Sequence, residues 1–202
     1  MARKDLFTKI LKKGAAKGVP PGRTQSARDW YREAAGKVMI FSKSYFFNES
    51  KDRHNRRPKV GEMYMFYYDP KHKDTLPYYD KFPLVFPIEY YDDGFLGINL
   101  HYLPPALRAQ LMDGLYEFIT DDKYNENTKL RLSYKLLSAA TRTSYFRPCV
   151  KRYLYTHVRS AFMKIDSTEW DIGLFLPTEQ FKKANKAKVW QDSKFKLQGF
   201  KV

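Results

Sequence analysis

The hydrophobic pattern of the chain changes near residue 102, and this change limits the fold more than any other feature of the sequence. Before that point, short runs rich in β-branched and aromatic residues alternate with proline, glycine, aspartate and asparagine, as is typical of strands joined by turns. The runs predict a small antiparallel β-sheet or a partly open barrel over about residues 38–102, with strands at 38–41, 63–68, 84–91 and 95–102.

After residue 102, apolar residues recur at helical spacing. Pro104 and Pro105 can open a helix whose apolar face extends from Leu107 to Ile119. The same spacing predicts further helices at 128–140, 148–162 and 177–187. The sequence therefore predicts an α+β fold in which the sheet is followed by a helical C-terminal half, with extended basic termini.

Three regions are predicted along the chain: 1–25 as a basic N-terminal arm, 26–181 as a single α+β core domain, and 182–202 as a basic aromatic C-terminal tail. The arm holds a short basic amphipathic helix that Pro20 and Pro21 end. A second helix is predicted at 27–35, capped by Ser26. Because neither terminus has enough apolar surface to centre a core, deleting 1–22 or 188–202 is expected to leave the domain folded.

The formal net charge is +15 at pH 7, and it is unevenly distributed. Residues 1–60 and 123–202 each carry a net charge of +11, whereas residues 61–122 carry −7. An excess of this size points to a polyanionic partner, with nucleic acid favoured over a membrane surface. In the alternative interpretation, the acidic middle pairs with the basic ends, either within the chain or in a neighbouring subunit.

Basic segments with interleaved aromatic residues predict contact with DNA or with a partner protein, since lysines neutralise phosphates and aromatic rings stack on exposed bases. For the C-terminal aromatic residues, an alternative is that they anchor the tail in a groove of a neighbouring subunit while the lysines face water. The candidate contact residues are Lys4, Lys9, Lys12, Lys13, Lys17, Arg53, Arg56, Arg57, Lys182, Lys183, Lys186, Lys188, Trp190, Lys194 and Lys196.

The sequence gives little support to catalysis. It contains neither GxxxxGK[ST], GxGxxG nor GxSxG, and its single cysteine and four dispersed histidines match no zinc motif. Acidic residues between 69 and 93 could serve a metal-dependent nuclease, but turn capping explains them without a metal. We therefore predict no enzymatic activity, no catalytic residues, no metal and no cofactor.

No membrane partner is predicted either. The longest uncharged run, at 94–107, has 14 residues and includes two prolines, so it is too short to span a bilayer. The N-terminal residues are charged throughout and lack the apolar stretch of a signal peptide.

Segments 61–71, 76–85 and 94–104 resemble virion proteins of contractile-tailed phages, including cyanophage-type sequences of the DNA end protector protein family. The resemblance implies a virion protein, assembled in the host cytoplasm, that binds the ends of packaged DNA near the head–tail junction and shields them from host exonuclease. Its partners would be other virion proteins, in a symmetric assembly, and DNA. Two alternatives stay open: an architectural neck, tail or baseplate subunit that binds only virion proteins, and a metal-dependent packaging or head-completion nuclease.

Overall fold

The computed structural model describes residues 5–21, 24–119, 135 and 147–198. Six helices lie in these ranges: α1 (Leu6–Ala15), α2 (Gln25–Gly36), α3 (Lys43–Glu49), α4 (Pro105–Ile119), α5 (Trp170–Phe175) and α6 (Lys186–Gln198). The strands are β1 (His54–Asn55), β2 (Met63–Met65), β3 (Tyr79–Asp80), β4 (Leu84–Tyr91), β5 (Gly94–Asn99), β6 (Val150–Leu154), β7 (Phe162–Ile165) and β8 (Phe181–Lys182).

Six of the strands form one antiparallel sheet in the order β1-β7-β2-β4-β5-β6. Its longest strand pair is the β4–β5 hairpin, in which Tyr91 pairs with Gly94 across the turn Asp92–Asp93. Strands β3 and β8 form a separate two-stranded sheet. The α+β class and the antiparallel sheet are confirmed, and the sheet in the described residues is not closed into a barrel.

Both faces of the sheet are buried, one against the helices and the other within a cluster of aromatic side chains. Met63 and Met65 point to a large core shared with the helices, whereas Tyr64 between them belongs to a second, smaller cluster on the opposite face. That cluster is almost entirely aromatic: Tyr64, Phe66, Tyr68, Phe95, Tyr153 and Phe162 surround Val85. The ring of Phe66 lies 5.3 Å from that of Tyr153, although two strands separate β2 from β6. The sheet therefore curls around its own aromatic face.

Several elements agree with the sequence-based expectations. The helices at the N-terminus, at 27–35 and after Pro104 are confirmed as α1, α2 and α4, and β4 has the predicted bounds. The cap of α2 lies two residues earlier than expected, because Thr24 rather than Ser26 accepts a hydrogen bond from the Ala27 amide, at 3.2 Å.

The predicted helix at 148–162 is wrong, since this segment forms β6 and runs into β7. Its residues pair with strand β5, placing Tyr153 opposite Phe95 and within the aromatic cluster. The C-terminal half therefore supplies two strands of the main sheet as well as helices. The predicted strand at 38–41 is also wrong, and the predicted helix at 177–187 is replaced by β8 and the start of α6. The predicted helix at 128–140 lies outside the described residues, apart from Lys135.

Helix α1 packs into the main core, with Phe7 fully buried and Ile10 nearly so. The Phe7 ring lies 5.8 Å from that of Phe46 and 4.9 Å from the guanidinium carbon of Arg53. These contacts lead us to expect that deleting residues 1–22 unfolds the protein, contrary to the expectation from sequence. The boundaries of arm, core and tail otherwise stay a prediction.

Candidate nucleic-acid interface

A stripe of lysines lies on the outer face of α1. Lys9, Lys12 and Lys13 are exposed and share one side of the helix, because residues three and four apart are neighbours on its surface. The opposite side is fixed in the core by Phe7, so the packing itself turns the lysines outward. Lys17 follows just beyond the helix, exposed, with its Nζ 5.8 Å from the centre of the Trp30 ring. Lys4 lies outside the described residues.

Arg53 has a different position from the one predicted. It is 4% exposed, and its Nε lies 2.5 Å from Asp5 Oδ2 while its Nη2 lies 2.8 Å from Glu169 Oε1. Burial alone would lower the pKa of Arg53, but the two carboxylates outweigh it and raise that pKa above its ordinary value. The guanidinium is thus held in a buried cluster that joins the N-terminus to residue 169, and it cannot reach a phosphate at the surface.

Arg56 and Arg57 are exposed in the loop that follows β1. The Tyr90 hydroxyl holds this loop against β4 by donating to the Pro58 carbonyl and accepting from the Val60 amide, both at 2.9 Å. The two arginines are therefore presented on an anchored loop.

The sequence-based candidates did not include Arg152 on β6. Burial raises the pKa of Tyr155, and the charges of Arg57 and Arg152 partly offset this rise. The guanidinium carbon of Arg152 also lies 3.8 Å from the centre of the exposed Tyr91 ring, and the side chain pairs with Asp93. Sequence reasoning missed this position because it placed residue 152 on a helix.

Two lysines at β8 have different roles. Lys182 is exposed, whereas the Nζ of Lys183 donates to the carbonyls of Asp74 and Leu76, at 2.8 and 3.0 Å. Lys183 also has a φ of 66°, in the left-handed region that non-glycine residues seldom occupy. Its side chain therefore serves to fix the 70–77 loop.

The C-terminal candidates lie on α6, which is docked onto the core by the buried Val189 and Ser193. Trp190 is half-buried, and its indole N–H donates to the His101 carbonyl at 2.9 Å, so the ring anchors the helix. Lys186 lies 5.5 Å from that ring, and Lys188 pairs with Asp192 at 3.3 Å. Both lysines are exposed. The side chains of Lys194 and Lys196 lie outside what the structure describes.

One buried arrangement has the geometry of a catalytic relay. Asp80 Oδ2 lies 2.6 Å from His101 Nδ1, and His101 Nε2 lies 3.1 Å from Thr178 Oγ1. His101 and Thr178 are fully buried and Asp80 is 4% exposed. A substrate has no access to this hydroxyl, so the relay stabilises the junction of β3, β5 and the segment before β8.

Three of the acidic residues considered for a nuclease are paired with basic side chains. Asp69 pairs with Lys73 at 3.1 Å, Asp80 with His101, and Asp93 with Arg152. Among the described residues, no group of three or more histidine, cysteine, aspartate or glutamate side chains is placed to hold a metal ion. Within the same part of the chain, no helix has the length and apolar character needed to cross a membrane.

Comparison with known proteins gives one match. The family model described as Phage T4 terminal DNA protecting protein matches residues 3–194, nearly the whole chain. This confirms the family resemblance noted in segments 61–71, 76–85 and 94–104. No curated protein and no solved structure matches the sequence.

Proposed function

This chain belongs to the family of the phage T4 terminal DNA protecting protein, and we propose that it binds the ends of packaged phage DNA and shields them from exonuclease. It acts as a non-enzymatic virion protein near the head–tail junction, after assembly in the host cytoplasm. Other virion proteins, in a symmetric arrangement, and DNA are its partners. Protection of this kind requires only that the protein stays bound at the DNA end, and it involves no step in which a covalent bond is broken.

The observation that carries the proposal is the lysine stripe of α1. Its members project from a helix whose other face is buried, so they form a cationic surface of fixed shape. Such a surface neutralises phosphates and releases their counterions, which supplies affinity independent of sequence. The exposed Arg56 and Arg57 add further positive charge on a separate, anchored loop.

The test is an exonuclease protection assay on linear duplex DNA, combined with a salt titration of binding. We expect the wild-type protein to slow digestion and its affinity to fall steeply as salt rises. The triple substitution Lys9→Gln, Lys12→Gln and Lys13→Gln should weaken binding and lower the slope of log K against log salt by about 2–3, near one for each lost phosphate contact.

The matched control changes three lysines outside the proposed surfaces, of which Lys37 and Lys51 are exposed and Lys43 is half-buried: Lys37→Gln, Lys43→Gln and Lys51→Gln. This variant should bind and protect DNA as the wild type does. If wild-type protein leaves linear DNA as sensitive to exonuclease as no protein at all, DNA end protection is the wrong function.

A second candidate function, as an architectural virion subunit, is favoured by exposed apolar side chains in the segment between α2 and α3 and in the first turn of α3. Phe41 is 92% exposed, Met39 75% and Tyr45 65%. Adjacent exposed hydrophobic residues of this size mark sites of protein association. If another virion protein covers them, particles grown with Phe41→Ser should lose this protein, while the purified variant should still protect DNA.

A further inference from the structure

A cavity of about 430 Å³ lies between the 68–80 segment and strand β6. Five tyrosines contribute to its lining: Tyr68, Tyr78, Tyr79, Tyr102 and Tyr153. Its size falls in the usual range of small-ligand sites, about 300–1,000 Å³. Aromatic walls at this density favour a flat, unsaturated ligand, since such rings stack on one another.

The walls of the cavity are fixed before any ligand binds. Strand β3, which carries Tyr79, pairs with β8, and Lys183 ties the 70–77 loop to that strand through two carbonyls. On the other side, the Tyr68 hydroxyl accepts a hydrogen bond from the Leu154 amide of β6, at 3.1 Å. A ligand therefore enters a site that needs little ordering, which favours affinity.

The charged groups around the cavity are mainly cationic. Lys71, Lys151 and Arg152 line it, and Lys151 Nζ lies 4.2 Å from the centre of the Tyr102 ring. Burial raises the pKa of Tyr102 and of other lining tyrosines, so these phenols remain neutral at physiological pH.

The single carboxylate in the lining belongs to Asp80. It is already occupied by His101 and by the amides of Phe82 and Gln180, which lie 3.0 and 3.2 Å from Oδ1. The cavity thus combines aromatic surfaces with the positive charge of the exposed Lys71. That combination is the one by which proteins bind single-stranded nucleic acid.

We propose that this cavity binds one unpaired nucleotide at the end of the DNA, with the base stacked among the tyrosines and the phosphate beside Lys71 and Lys151. The inference rests on the proposed function. It adds a way for the protein to distinguish the end of the DNA from the interior of a duplex. Lysines that contact only phosphates do not distinguish the end of a duplex from its interior. Only at an end is a nucleotide unpaired, or freed at small cost, so that its base can enter a pocket.

The experiment compares two duplexes of the same sequence. One is linear and carries an unpaired 2-aminopurine nucleotide at each 3′ end, and the other is closed into a covalent circle without ends. We expect wild-type protein to prefer the open duplex and to quench its 2-aminopurine fluorescence. Tyr79→Ala and Lys71→Glu should each lower affinity for the open duplex by about tenfold, while binding to the closed duplex is unchanged.

Lys51→Glu is the matched control, because it makes the same charge change at an exposed lysine outside the cavity. Lys71 is exposed as well, so that Lys71→Glu tests the cavity without risk to the core. Exonuclease protection is measured on the same variants with the same DNA.

The possible results separate the two proposals. If wild type protects DNA and prefers open ends, but both cavity variants retain that preference, the cavity proposal is overturned and the protective function stands. If wild type gives no protection, the function itself fails. A third result would be that free dAMP restores the quenched 2-aminopurine fluorescence while the protein binds open and closed duplexes equally well. This would mean that the cavity takes a free nucleotide, and it would likewise overturn the proposal.

Discussion

Replacing Phe7 by alanine is expected to lower the free energy of unfolding by about 3–5 kcal/mol, which is the usual cost of truncating a buried phenylalanine to alanine. The Phe7 ring is completely buried between Phe46 and the guanidinium of Arg53. Strands and the buried ion pairs hold the surroundings in place, so the cavity cannot collapse easily. The loss combines the transfer free energy of the ring with the cost of the cavity.

Urea unfolding followed by circular dichroism measures this loss. With a slope of about 2 kcal/mol per molar urea, typical of small proteins, the midpoint should fall by about 2 M. Lys12→Ala, on the exposed side of the same helix, is the control and should change stability by less than about 0.5 kcal/mol. If the two variants unfold at the same urea concentration, α1 is a peripheral arm and the packing argument is wrong.

Three further predictions concern the interior. Arg53→Ala should cost about 3–5 kcal/mol in urea unfolding, because it leaves the buried carboxylates of Asp5 and Glu169 without the guanidinium that balances their charge. Burial would raise the pKa of Glu179, but the charges of His101 and Arg108 outweigh it and lower the pKa to about 2 from 4.5. The stability from this carboxylate is therefore complete above about pH 4.5 and is lost as the pH falls towards 2; the free-energy difference between wild type and Glu179→Gln should shrink over that range. Gly94→Ala should lower the melting temperature, with a cost above about 1 kcal/mol, because its Cβ would lie 1.9 Å from a β6 carbonyl oxygen.

The local parts of the fold were predictable from sequence. Strand β4 follows from a run of β-prone residues, and its hairpin with β5 follows from the turn at Asp92 and Asp93. Helix α4 follows from Pro105 and the apolar spacing after it. In each case the signal lies within a few residues of the element it specifies.

Strands β6 and β7 were not predictable in this way, since their partners lie far along the chain. Val150 pairs with Ile98, and Met163 pairs with Met65. Apolar residues in the 148–162 segment fit both a helix and a strand, and only the sheet decides between them. Arg53 was misread for the same reason: its partners Asp5 and Glu169 are distant in sequence, so burial could not be inferred from its neighbours. The other candidate contact residues stay predictions.

The positions of the ion pairs show which basic side chains of the described residues can contact a phosphate. Acidic side chains of the central segment pair with basic residues from both ends of the chain: Glu62 with Lys164, Asp69 with Arg159, Asp93 with Arg152, and Asp113 with Arg28 and Arg32. Intrachain pairing, one of the two interpretations of the segregated charge, therefore accounts for much of the acidic block. Within the described ranges, no carboxylate forms an ion pair with Lys12, Lys13, Arg56 or Arg57. Their charge is not neutralised at short range inside the protein, whereas Lys9, the third lysine of the α1 stripe, lies 3.7 Å from Glu49. Lys12, Lys13 and the loop after β1 are therefore the first places to substitute, because they can contact phosphate without first breaking an ion pair there.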